Sequence, residues 1–192
     1  ELFVARHGET NLNLKHKFYG SRDVDLDDTG WFQADELADK MAKIDFDQIV
    51  ISKSKRTLQT AEAIVAEHPN SKLRVDARFN EMDFGKWEGL SADEIQAQYP
   101  KDWERWMEAP MKEIPTGGEG FLAFDQRVIA GLQELISTNH DRRVLLIAHL
   151  GTLRAINHYW FPKRDFWSAK FEAGCYSHYL ANGGQVAVHY NL

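Results

Sequence analysis

The 192-residue chain predicts an α/β fold: a three-layer sandwich with a mostly parallel central sheet, helices on both faces and one antiparallel C-terminal hairpin. Three observations predict it. The apolar runs Leu2–Ala5, Gln48–Ile51 and Val144–Ala148 are too continuous for a sheet with one wet face, and read as strands buried on both sides. Segments with apolar residues at three- and four-residue steps lie between them, the alternation of βαβ units. Near the end, Tyr176–Ala181 and Gln185–Tyr190 flank Asn182-Gly183-Gly184, a hairpin signal.

The elements follow in order. After the first strand and a polar loop, Asp27 or Asp28 can cap a helix whose apolar positions are Trp31, Ala34, Leu37, Ala38 and Met41. The strand 48–51 leads into a helix from Arg56 to His68, with Leu58, Ala61, Ile64 and Val65 on one face and Pro69-Asn70 as its stop. Leu73–Val75 is a weaker third strand. Ser91 and Glu94 have capping-box spacing and open a short helix that ends at Pro100. A second short helix carries Trp103 and Trp106, and the Pro/Gly-dense run 110–120 is a long loop. Phe121, Phe124, Val128, Leu132, Leu135 and Ile136 mark a long helix that feeds the strand 144–148, and Gly151–Trp160 is helical again.

Composition bounds the function. At this length one domain over 1–192 is expected, since domains mostly run to ~100–200 residues, with the stretch 91–120 as a helical and loop excursion able to act as a lid. With 43% hydrophobic and 27% charged residues the chain is that of a folded protein. One cysteine, Cys175, makes neither an intrachain disulfide nor a CxxC site, which points to a reducing, cytoplasmic setting. The first residues enter an apolar strand directly, so no signal peptide is expected, and no apolar run approaches the roughly 18 residues of a membrane span. A net charge of −6 argues against a nucleic-acid or anionic-membrane partner, because such binders carry a broad basic face. Any anion site is local. The oligomeric state is left open.

In open α/β sheets the ligand lies beyond the carboxyl ends of the strands, so the residues there carry the most weight. Arg6-His7-Gly8-Glu9-Thr10 follows the first strand, Ser52 to Thr57 with Arg56 follows the second, and His149-Leu150-Gly151 follows the strand at 144–148. The segment from Asn80 to Gly89 follows the third strand and can bring Glu81 to the rim. Two imidazoles, two guanidinium groups and a carboxyl group make up a phosphoryl-transfer inventory that needs no metal. Arginine pairs bidentately with phosphate oxygens, imidazole is a nucleophile near neutral pH, and a carboxyl group can protonate a leaving alkoxide. Each residue taken alone has a plainer reading as a structural or exposed group, which His16, His68, His140, His158, His178 and His189 receive. Order and placement of the set carry the chemistry.

Arg6 to Thr10 resembles the RHGET signature of the histidine phosphatase superfamily, in its phosphoglycerate-mutase-like branch. The resemblance runs along nearly the whole chain. Asn13 sits where that family keeps a phosphate-contacting Asn, and Gly20, Asp23, Leu26 and Gly30 fit its loop into the first helix. Arg56 with Gln59-Thr60-Ala61 resembles the second-arginine helix, and Glu81 to Gly89 is similar to the acid-bearing loop. Gly117-Gly118-Glu119 resembles the Gly-Gly-Glu-Ser turn, and Ala148 to Gly151 the second-histidine motif. The family usually has Arg at the place of Lys17, Gln at Tyr19, Pro at Asp25 and Ser at Gly120, and its second-histidine motif usually reads Ser-His-Gly-Gly. These departures bear on recognition of the group beyond the phosphate, and Tyr19 and Leu150 are expected to border the ligand.

The resemblance implies in-line attack by His7 on phosphorus, with Arg6, Arg56 and His149 around the equatorial oxygens, and Glu81 as acid and then base. It implies no cofactor and no metal ligand, and a small phosphate ester as partner. The expected activity is hydrolysis of small phosphorylated metabolites, as in alpha-ribazole phosphatases and broad-specificity phosphatases. A phosphoglycerate-mutase-type transfer and a catalytically silent binding module on the same fold are the alternatives. Trp103, Trp106, Met107 and Met111 either cap the pocket, favouring substrates with an apolar or aromatic part, or simply pack.

Overall fold

The computed structural model describes residues 1–182 and 185–192, so the Gly183-Gly184 turn of the expected hairpin lies outside the described residues. The strands are β1 (Leu2–Arg6), β2 (Gln48–Ile51), β3 (Lys72–Val75), β4 (Val144–Ala148), β5 (Tyr176–Asn182) and β6 (Gln185–His189). They form one sheet in the order β3-β2-β4-β1-β5-β6, parallel from β3 to β1 and antiparallel through β5 and β6. Helix α1 (Asn11–Leu14) follows β1, α2 (Asp28–Met41) leads to β2 and α3 (Lys55–Glu67) to β3. Then come α4 (Ala92–Gln98), α5 (Pro100–Glu108), α6 (Phe121–Thr138) and α7 (Leu150–Trp160).

The alternation of side chains along each strand sorts two cores. Phe3, Ala5, Ile49, Ile51, Leu145 and Ile147 face Leu37, Met41, Ala61 and Ile64 of α2 and α3. Leu2, Val4, Val50, Leu146 and Ala148 face Val128, Leu132, Leu153 and Ile156 of α6 and α7. Both faces of the central strands are therefore covered, which is why Leu2–Ala5, Ile49–Ile51 and Val144–Ala148 are apolar at every position. No helix is long and apolar enough to cross a membrane among the described residues.

The helix stripes depart from the expected ones in an instructive way. Trp31, Leu58 and Ile136 are exposed, although the periodicity assigned them to the buried face. In α2 the stripe runs Gly30, Ala34, Leu37, Ala38, Met41; Gly30 packs so tightly that a Cβ there would lie 2.1 Å from the Glu9 carbonyl oxygen. In α3 the buried positions include Thr57 and Thr60, whose hydroxyls bond the Ser52 and Arg56 carbonyls. In α6 Gly131 occupies the stripe beneath Phe79. A small or hydrogen-bonded residue at each of these places shifts the buried face and turns its large neighbour outward. Helix α1, expected as polar loop, is a single turn held by a capping box of Thr10 and Asn13. At the sheet edge, β3 leaves Leu73 and Val75 exposed.

Candidate active site

The register of β1 and β4 builds the site. Arg6 lies opposite Ala148, and the His7 N–H donates to the Ala148 carbonyl at 3.1 Å, so His7 and His149 leave the sheet side by side. Ser52 joins them from β2, its N–H bonded to the Ile147 carbonyl. The two imidazoles are almost fully buried, with ring centroids 5.2 Å apart at 60°.

His7 Nδ1 is 2.7 Å from the carbonyl oxygen of Gly8. A carbonyl only accepts, so Nδ1 carries the proton and Nε2 keeps its lone pair. Burial first, then the charges of Arg56 and Arg6, hold the imidazole well below its ordinary pKa and keep it neutral. His149 is neutral for the same leading reason, burial, followed by Arg56. Arg56 Nε donates to His149 Nδ1 at 3.3 Å, which puts the ring proton on Nε2, and that N–H donates to Ser52 Oγ at 2.7 Å. Ser52 was not singled out in the sequence, although its place directly after β2 is a signal that could have found it.

Arg56 is 1% exposed at the start of α3. Nη2 donates to the Gly20 carbonyl at 2.9 Å and Nη1 to that of Arg22 at 3.0 Å, so three of its five N–H groups are committed. Its guanidinium lies 4.8 Å from the centroid of the Tyr19 ring. Arg6 differs: its buried Nε has no hydrogen-bond partner among the described residues. Desolvation lowers the pKa of both arginines, yet neither can shed its charge at ordinary pH. A buried, charged and unpartnered N–H is costly unless an anion meets it.

Asn13 Oδ1 accepts from the Thr10 N–H at 3.2 Å and the Tyr19 hydroxyl at 2.8 Å, while Tyr19 and Thr10 hydroxyls meet at 2.7 Å. The oxygen side of the Asn13 amide is thus fixed, and Nδ2 is left without a partner among the described residues. Tyr19 serves as a platform for Asn13 and Arg56. Leu150, half-buried at the first position of α7, packs against the apolar core below α6.

Glu81 reaches the N-terminus of α7. Its Oε2 accepts from the Gly151 N–H at 2.8 Å and Oε1 from the Met82 N–H at 2.9 Å. A Cβ at position 151 would come within 2.4 Å of Oε1, so only glycine admits the carboxyl group there. Burial raises the Glu81 pKa against the pull of those two N–H groups, Arg56 and Arg6. One turn along α7, Arg154 is held by the Ala169 and Trp167 carbonyls and stacks 5.7 Å from the Trp167 ring. It too went unnoticed in the sequence.

Trp103 and Trp106 stack on each other at 5.6 Å and meet Phe18 and Trp87 edge-on or tilted. They pack onto the segment that delivers Tyr19, and Trp106 continues to Trp167 at 6.5 Å. His68, bonded to the Ile64 and Ile44 carbonyls, is structural. A cavity of about 660 Å³ opens at the opposite end of the sheet, near Glu1, Asp47 and Arg143, and holds none of the groups above.

Two neutral imidazoles, the buried Arg56, the half-buried Arg6 and a carboxyl group of raised pKa gather beyond the carboxyl ends of parallel strands in an α/β fold, a set with N–H groups to spare for an anion. Residues 2–191 match the histidine phosphatase superfamily (branch 1), and the chain belongs to that family. It is 33% identical to phosphoserine phosphatase 1 of Hydrogenobacter thermophilus over 81% of this chain and 74% of that one. It is 34% identical to a 2,3-bisphosphoglycerate-dependent phosphoglycerate mutase of Methylobacterium over 81% and 77%. The alpha-ribazole phosphatase structure from Shigella flexneri superposes with a TM-score of 0.92 at 26% identity, covering 99% of this chain and 95% of that one.

Proposed function

We propose that the protein hydrolyses phosphomonoesters of small metabolites through a phosphohistidine at His7. The observation that carries the reading is the fixed His7 ring, with Nδ1 tied to Gly8 and Nε2 unprotonated, beside the unpartnered Nε of Arg6. In the first step Nε2 gives its lone pair to phosphorus, the ester P–O bond breaks, and Glu81 passes its proton to the departing alkoxide. Arg6, Arg56, His149 and the Asn13 amide gather the equatorial oxygens, where charge accumulates in the loose transition state. For this the His149 Nε2–H exchanges its bond to Ser52 for one to a phosphate oxygen, while Nδ1 keeps accepting from Arg56. In the second step ionised Glu81 takes a proton from water, the oxygen bonds phosphorus and the N–P bond breaks.

Relatives that are phosphatases of small phosphate esters support the substrate class, and the Trp103, Trp106 and Trp167 band beside Arg154 supports a rim that meets the part beyond the phosphate. The segment 91–120 carries Trp103 and Trp106 of this band and is the candidate lid.

Hydrolysis and transfer are separable. Incubated with 3-phosphoglycerate or a generic ester and no 2,3-bisphosphoglycerate, the protein is expected to release inorganic phosphate, at a rate at least ~10-fold above any interconversion of 2- and 3-phosphoglycerate, or about 1.4 kcal/mol of barrier. A mutase shields its intermediate from water. Interconversion faster than phosphate release under saturating bisphosphate would replace hydrolysis by transfer as the function.

Because Arg6 and Arg56 supply the positive charge in this reading, activity is expected to be indifferent to EDTA and inhibited by vanadate, which resembles the pentavalent transition state. Loss in EDTA with recovery on adding a divalent cation would overturn the metal-free mechanism.

A further inference from the structure

Arg127, near the middle of α6, donates with all five N–H groups of its guanidinium. Nε and Nη2 grip the two carboxylate oxygens of Glu119, each at 2.7 Å. Nη1 bonds the carbonyls of Arg78 and Asn80 at 2.8 Å, and Nη2 also bonds the carbonyl of Glu81 at 3.0 Å. Asn80 and Glu81 lie outside helix and strand, so no ladder holds their carbonyls; besides Arg127, the Asn80 carbonyl accepts from the Thr152 hydroxyl at 3.3 Å.

Glu119 is anchored in turn. Its N–H donates to the Asp83 carbonyl at 2.8 Å, and Gly118 lies so close that a Cβ there would be 2.5 Å from the same oxygen. The Gly117-Gly118-Glu119 turn therefore presses on the loop just after Glu81, while Arg127 holds the carbonyls up to and including it. Among the described residues, the Glu81 carboxyl group has only the Met82 and Gly151 N–H groups as hydrogen-bond partners. Met82 travels with the loop, so the Gly151 attachment is the one lost if the loop moves.

We propose that Arg127, held by Glu119, is the positioning residue for Glu81: it fixes the backbone of residues 78–81 so that the carboxyl group stays at the N-terminus of α7, in reach of the leaving group. The proposal rests on the phosphatase reading for its effect on turnover and on the hydrogen bonds alone for its effect on Glu81. A lysine keeps the charge but has no planar fork, so it cannot meet Glu119 and three carbonyls together. A displacement near 1 Å in a catalytic group costs on the order of 10² in rate.

The test compares Arg127→Lys, Arg127→Met and the isosteric Glu119→Gln with wild type. Thermal unfolding is measured alongside kcat/KM on an alkyl phosphate ester and on p-nitrophenyl phosphate. The Glu81 carboxyl titration is followed by carbon-13 resonance of labelled glutamate and identified by its absence in Glu81→Gln. Both Arg127 variants are expected to lose ~30-fold or more on the alkyl ester and less than ~5-fold on p-nitrophenyl phosphate, whose leaving group needs little protonation. Glu119→Gln shows the same asymmetry at smaller size. The Glu81 titration moves upward as its bond to the Gly151 N–H loosens. Equal losses on both esters with an unmoved titration, or full activity in Arg127→Lys, would overturn the proposal. If the Arg127 variants do not fold, the same two readouts in Glu119→Gln decide it. A wild type inactive on both esters whose Glu81 titration still shifts in the variants would sink the phosphatase reading and leave the clamp standing.

Discussion

Alanine at position 7 is expected to lower kcat/KM by at least ~10³, about 4 kcal/mol of transition-state stabilisation, because no other imidazole in the crevice, among the described residues, has a free unprotonated ring nitrogen. The nearest substitute, His149, has Nδ1 occupied by Arg56 and the proton of Nε2 given to Ser52. Attack by His149 would require breaking a buried hydrogen bond and turning a ring that is 1% exposed. The His7 ring's hydrogen bond among the described residues is to its own neighbour Gly8, so the variant is expected to fold, with thermal unfolding as the control for the cavity left beside His149. Trapping with a ³²P-labelled ester checks the same point chemically. Wild type should acquire an acid-labile, base-stable adduct on His7, and the variant none. Residual turnover close to wild type, or label found on His149, would move the nucleophile elsewhere.

That His7, His149 and Arg56 meet was legible because parallel strands deliver their ends to one edge: His7 and His149 directly follow β1 and β4, and Arg56 lies in the first turn of the helix after β2. The strands themselves were legible for a related reason: with helices on both faces, every position of Leu2–Ala5 and Val144–Ala148 is apolar, and the signal does not depend on phase. Helix faces were read less well. Periodicity weighs large side chains, whereas Gly30, Thr57, Thr60 and Gly131 hold the buried stripe through close backbone approach or internal hydrogen bonds, which hydropathy does not register. The site shows the same division. Residue types and order pointed to Arg6, Glu81 and Asn13, but the proton positions on the two imidazoles depend on Gly8, Arg56 and Ser52, and the stacking of Arg56 on Tyr19 joins loop to helix. Arg127 was read only as one residue of a long helix. Its five bonds reach four different residues outside that helix, and no local pattern encodes them.

Glu81→Gln should separate substrates by their leaving groups. In the first step the wild-type carboxyl group is needed protonated, and its pKa is raised by burial even though the Met82 and Gly151 N–H groups, Arg56 and Arg6 pull the other way. The rate on an alkyl ester therefore falls as pH climbs through that raised value, while the lowered pKa of His7 moves the acid limb below the ordinary imidazole range. Glutamine keeps the volume, and its carbonyl can still accept from the Gly151 N–H, but it has no proton to give an alkoxide. A loss of ~10² to 10³ in kcat/KM is expected for the alkyl ester and less than ~10-fold for p-nitrophenyl phosphate, with the basic limb abolished in the variant. The comparison is made on kcat/KM because that ratio stops at the first irreversible step, P–O cleavage. The later attack of water on phosphohistidine also uses Glu81, and slowing it would depress kcat equally for every ester. The variant should accordingly accumulate phosphohistidine on p-nitrophenyl phosphate, seen as a burst of p-nitrophenol close to one per site, followed by slow turnover. Equal losses in kcat/KM on both esters, or an unchanged basic limb, would take the acid role away from Glu81 while leaving the His7 assignment untouched.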